Sequence, residues 1–128
     1  MEKELVDIIK KNEIEKEVIV SSFIHDSLIK IKNLCPELKV APLFGHSGMT
    51  KFGDIPLRYD DLKIDLYSIH IDKKQANKRD IEKAHKKGLK VFVYTSNEEK
   101  EMLNLMEMGV DGIFTDKPDL LLNLKKRL

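Results

Sequence analysis

Four histidines, one cysteine and 22 aspartates and glutamates are the side chains here that can move a proton, hold a metal or act as a nucleophile. Their spacing forms no strong local motif. There is no glycine-rich phosphate loop, no second cysteine to pair with Cys35, and no His-x-x-x-His. Gly45-His46-Ser47-Gly48 has the residue types of a nucleophile elbow without its Gly-x-Ser-x-Gly order, and it reads as loop. Position singles out two histidines instead. His25 follows a predicted strand and His70 lies near the end of another, and parallel α/β folds bind ligands outside the carboxyl ends of their strands. His70 is the stronger candidate to line a site. His85 reads as helix packing or capping, and His46 as solvated. Asp111 precedes a strand, while Asp116 follows it and reads as the N-cap of the next helix. Lys73-Lys74 and Lys86-Lys87 read as solvated faces, and Met102, Met106 and Met108 as helix packing.

Rigid elements must aim such groups, and the hydrophobic period shows which ones. Leu5, Ile8 and Ile9 mark an amphipathic helix ending near Asn12. Val18-Ile19-Val20 is a β-branched strand, and Ile24, Leu28, Ile31, Leu34 and Cys35 return to helical spacing before Pro36. A second strand lies within Leu38 to Phe44. Gly45 to Asp65 is looser, with a short helix expected around Tyr59 to Lys63. Strands are then predicted at 66–71, 90–95 and 112–115, beside the earlier pair at 18–22 and 39–43. Asn77 caps the helix that ends at Gly88. Ser96 and Glu99 form a capping box for the next, Gly109 closes it, and Pro118 opens the last. The pattern predicts α/β: about five parallel βα units preceded by one helix. An opening helix with no strand before it suggests a chain cut from something longer.

Composition narrows the class. The 128 residues suit a single domain over 1–128, and 41% hydrophobic residues can fill a core. The 23 Lys+Arg against 22 Asp+Glu give no electrostatic case for nucleic acid. No apolar run approaches a membrane span, and the charged start has no signal-peptide stretch. A lone cysteine fits a reducing, cytoplasmic setting.

Three segments carry a resemblance. Ala84-His85-Lys86-Lys87-Gly88-Leu89-Lys90-Val91-Phe92-Val93-Tyr94-Thr95-Ser96-Asn97 is similar to the late barrel segment of glycerophosphodiester phosphodiesterases, an Ala-His-x-x-Gly-x-x-Val turn leading to Trp-Thr-Val-Asn. Met108 to Pro118 resembles that family's last strand, and Val18-Ile19-Val20-Ser21-Ser22-Phe23 an earlier strand ending Ser-Phe. Tyr94 replaces the usual Trp and Ser96 the usual Val. None of the family's His-Arg-Gly strand end, Glu-x-Asp pair, downstream His-Asp and Glu-x-Lys strand appears before Val18, where the family has already passed them all.

The resemblance implies a partial TIM barrel, open or half-barrel if isolated. It implies hydrolysis of a glycerophosphodiester to glycerol 3-phosphate and an alcohol, with a divalent metal, Mg or Ca, in the complete enzyme. The implied catalytic and metal residues lie outside this chain, which is expected to be inactive alone. Phe23, Leu43, His70 and Tyr94 are the expected substrate-binding residues. Expected partners are the small-molecule substrate, a second copy, or a complementary N-terminal chain. The alternative is a non-catalytic α/β binding or interaction module.

Overall fold

The computed structural model describes residues 1–45 and 56–127, so His46 and the Gly45-His46-Ser47-Gly48 motif lie largely outside the described residues. The chain divides into two compact units, Met1–Ile69 and His70–Leu128.

In the first unit, α1 (Glu2–Lys11) carries Glu2 and Glu4 in its first turn and Lys10 and Lys11 in its last, which complements the helix dipole. Strands β1 (Ile19–Ser22) and β2 (Lys39–Pro42) pair in parallel, Val20 opposite Val40 and Ser22 opposite Pro42. Helix α2 (His25–Leu34) connects them and packs on both. Val6, Ile9, Leu28, Ile31, Cys35, Leu38 and Val40 form the core, with Val18 and Val20 against it. The helix faces differ from expectation. α1 buries Val6 and Ile9 and leaves Leu5 and Ile8 in solvent. Its apolar residues form two adjacent stripes, and the position of α2 decides which stripe is covered. Ile24 and Leu34, at the two ends of the α2 stripe, are exposed for the same reason. The predicted short helix is a 3-10 turn, Tyr59–Asp61.

β3 (Ser68–Asp72), β4 (Lys90–Tyr94) and β5 (Gly112–Ile113) form a second sheet in that order, of which β3 from His70 on, β4 and β5 belong to the second unit. β4 and β5 are parallel, with Phe92 opposite Gly112 and Val93 opposite Ile113. Asn77 caps α3 (Lys78–Lys86) by accepting the Asp80 N–H at 2.9 Å. Gly88 and Gly109, at φ +80° and +92°, take the left-handed turns that end α3 and α4 (Glu99–Met108). Pro118 opens α5 (Pro118–Arg127). Two capping expectations fail. α4 starts two residues later than a Ser96 cap requires, so Glu98 is its N-cap and Ser96 is buried. α5 starts at Pro118, beyond the reach of an Asp116 cap; Asp116 is held by Asn97 instead.

Candidate functional site

Strand alternation sorts the candidate residues. In β4, Val91 and Val93 are buried, while Phe92 and Tyr94 on the other face are half-buried. The same parity puts His70 and Asp72 on one face of β3, with Ile69 and Ile71 on the other. In the first unit, Val18 and Val20 face the helices, leaving Ile19 and Ser21 on the opposite face.

Phe23 and Leu43 stand at the carboxyl ends of adjacent strands, and both are half-buried. The Leu43 N–H donates to the Ser22 carbonyl at 2.9 Å, extending the β1–β2 ladder by one residue. His25 Nε2 lies 3.0 Å from the Leu43 carbonyl, so its ring ties α2 to this strand end. That ring also packs edge-on against Phe44, centroids 5.0 Å apart, and Phe44 in turn against the buried Tyr59. His25 is thus part of the scaffold beneath Leu43.

His70 and Tyr94 belong to the second unit. β3 runs from Ser68 to Asp72, so His70 occupies its centre, only 3% exposed, rather than its end. Its ring meets Phe92 and Phe114, each 5.2 Å away between centroids. Burial pushes the imidazole down to about 4, so it is neutral near pH 7. Tyr94 ends β4, and the peptide bond after it is cis. Burial, with the Asp72 carboxylate nearby, pushes its phenol up to about 12, and it stays protonated.

Loop contacts at the carboxyl ends fix this geometry. Asn97 Oδ1 accepts from the Thr115 hydroxyl at 2.9 Å and the Asp116 N–H at 2.8 Å, and its amide nitrogen donates to the Asp116 carboxylate at 3.1 Å. One side chain therefore clamps the loop after β4 to the loop after β5. The Ser96 hydroxyl, and next to it Lys73 at 3.2 Å, hold the Glu101 carboxyl below its ordinary range. At the amino ends of the strands, Asp111 accepts from the Val91 N–H at 2.7 Å and meets His85 Nε2 at 2.8 Å. His85 is therefore a partner of Asp111, which answers the packing role expected of it.

Asp72 was beyond sequence reasoning. It is a fully buried carboxylate that accepts the Lys74 N–H and, with Gln75, completes a capping box. The strand predicted to end at 71 excluded it, although its period-2 spacing from His70 was available as a signal. Among the described residues, no group of three or more His, Cys, Asp or Glu could hold a metal ion. None of the described helices is long and apolar enough to cross a membrane.

Comparison with known proteins gives this geometry a context. A profile of the glycerophosphoryl diester phosphodiesterase family matches residues 1–120. A glycerophosphodiester phosphodiesterase of Caldanaerobacter subterraneus is 32% identical over 127 residues, covering 99% of this chain and 50% of the relative. One from Bacillus subtilis is 30% identical, covering 98% of this chain and 44% of its own length. The chain spans about half the length of the curated relatives it matches. A solved structure of a candidate glycerophosphodiester phosphodiesterase from Galdieria sulphuraria superposes with a TM-score of 0.83 at 26% identity, over 97% of this chain and 50% of that one. An Oleispira antarctica phosphodiesterase, solved with its product sn-glycerol-3-phosphate, gives 0.76 at 22% identity over 98% and 50%. The fold is that of part of a TIM-type barrel.

Proposed function

Because the chain belongs to the glycerophosphoryl diester phosphodiesterase family, we propose that it supplies part of the substrate pocket of an enzyme hydrolysing a glycerophosphodiester to glycerol 3-phosphate and an alcohol. One observation carries this reading: strand-end residues of both units are apolar or aromatic and only half-buried. Each unit offers its own strand-end candidates for contact with the glycerol or alcohol portion: Phe23 and Leu43 in the first, Tyr94 in the second. The protonated Tyr94 hydroxyl can donate a hydrogen bond to a substrate oxygen. His70, neutral and enclosed, would hold Phe92 and Phe114 in place behind that surface. No described cluster suits the divalent ion expected of the family, Mg or Ca, so no step through a metal is assigned to this chain. A buried free Cys35 is consistent with a cytoplasmic setting.

The test is release of glycerol 3-phosphate from a glycerophosphodiester with Mg²⁺, Ca²⁺ or Mn²⁺ present. The chain alone should release none. Adding the half of the Caldanaerobacter relative that this chain does not match, as a separate polypeptide, should restore release, and Tyr94→Ala should lower kcat/KM at least tenfold. Turnover by the chain alone that His70→Ala abolishes would overturn the reading. So would a stable complex of the two polypeptides that releases nothing.

A further inference from the structure

Gly112 and Ile113 of β5 form the floor of a cavity of about 350 Å³ within the second unit. Met106 of α4, with Val110 just past its end, lines one wall, and Leu121 of α5 lines the other. The remaining lining groups are Asp111 and Lys125. Small-molecule pockets of this size combine apolar walls with a few placed polar groups in the same way. The cavity is also amphipathic along its length. Asp111 directly precedes β5, and Lys125 lies in the last turn of α5. A helix that follows its strand packs back along it in the opposite direction, so both charged groups fall at the amino end of β5. Leu121 is one turn back along α5 from Lys125, on the same face, and carries the apolar surface away from that end.

We propose that this cavity binds a small amphipathic anion, an aliphatic carboxylate, with its head at Lys125 and its chain on Met106, Ile113 and Leu121. The sign of the head group follows from what the two charged residues already hold. Asp111 Oδ2 accepts the Val91 N–H at 2.7 Å and meets His85 Nε2 at 2.8 Å. Among the described residues no ion pair involves Lys125, whereas Arg127 in the same turn is paired with Glu99 at 2.7 Å. Lys126 adds a further cation to that turn. A cationic head would meet these lysines and find Asp111 engaged. An anionic head finds in Lys125 a compact charge with three donors, and repulsion from Asp111 turns it toward α5. A linear chain suits the rest of the cavity, because unbranched Met106 adapts its shape to what lies against it. None of these residues belongs to the strand-end surface assigned to substrate, so the site is independent of the catalytic reading.

The probe is octanoate, kept below its micelle concentration and titrated into the purified chain while amide shifts are read by NMR. Saturable shifts are expected at Val110, Gly112, Ile113 and Leu121, with the amides of α1 unmoved. Lys125→Met keeps the length of the side chain and removes its charge, and should raise Kd about tenfold. Lys125 is exposed, so this variant keeps the fold. Lys126→Met, outside the cavity wall, should leave Kd unchanged. Acetate, which has the same head and lacks the chain, should give no saturable shift over the same range. Octylamine should bind about tenfold more weakly than octanoate. Absence of saturable shifts at these residues, shifts spread over both units, or octylamine binding as tightly as octanoate would each overturn the proposal. So would loss of octanoate binding in a complex with the unmatched half of the Caldanaerobacter relative, because protein would then fill the cavity.

Discussion

His70 illustrates how one residue's environment sets a measurable property of the protein. An imidazole with an ordinary value near 6.5 is held at about 4 by burial. The unfolded chain therefore binds the extra proton first as pH falls. The stability from the neutral ring is fully present above about pH 6.5 and is lost as pH falls from there toward 4, to a limit of about 3 kcal/mol. Urea midpoints measured from pH 7.5 to 4.5 should drop through this window in the wild type, and much less in His70→Phe. Glu101 adds a separate loss, because its lowered value delays protonation in the folded state; that loss begins only near its ordinary value of 4.5 and grows below it. A second residue-scale expectation concerns Asn97, whose three contacts join two loops. Asn97→Ala should cost about 1–3 kcal/mol by leaving Thr115 and Asp116 poorly satisfied. Thermal melting checks this.

At the scale of elements, two glycines look alike in sequence and differ in the fold. Gly109 adopts φ +92° with open space where a Cβ would go. Gly109→Ala should therefore cost only the left-handed strain, about 1–2 kcal/mol. A Cβ at Gly112 would lie 2.6 Å from Phe92 Cδ1, so the close approach of β5 to the β4 ring is what requires glycine there. Gly112→Ala should cost about 1–3 kcal/mol through displacement of the ring. Phe92→Leu in the same chain should recover part of that cost, whereas it should not help Gly109→Ala. A double-mutant cycle on unfolding free energies separates the two. The capping signals show a similar split. Asn77, Gly88, Gly109 and Pro118 act locally, and each is found as expected. Ser96 fails because the chain after β4 carries it into the interior.

At the scale of the whole molecule, each unit leaves some large apolar residues exposed, Ile24 and Leu34 on α2 among them. Leu5 and the 57% exposed Ile8 lie on α1, Ile19 on β1, Phe114 beside β5, and the 54% exposed Leu122 on α5. Exposed apolar side chains of this size, on either unit, favour association or aggregation. Ile8→Lys with Leu122→Lys should reduce concentration-dependent light scattering while changing stability by no more than about 0.5 kcal/mol. Loss of more than that would place these side chains in the core.

Sequence by itself determined the α/β class, the five strands to within a few residues, and the two faces of β4. Each rests on periodicity or on turn chemistry contained within a short stretch of chain. The family was legible for the same reason, in contiguous runs such as Gly109-Val110-Asp111-Gly112-Ile113-Phe114-Thr115-Asp116. Tertiary structure decided what depends on a distant neighbour. Whether Val6 or Leu5 is buried depends on α2, and the enclosure of His70 depends on Phe92 and Phe114, 22 and 44 residues further on. Asp111, just before β5, and His85, in α3, meet only because the chain returns β5 beside β4, the strand that follows α3. Such pairings carry no local signature, since their energy comes from burial and hydrogen bonding between segments that the chain brings together only on folding.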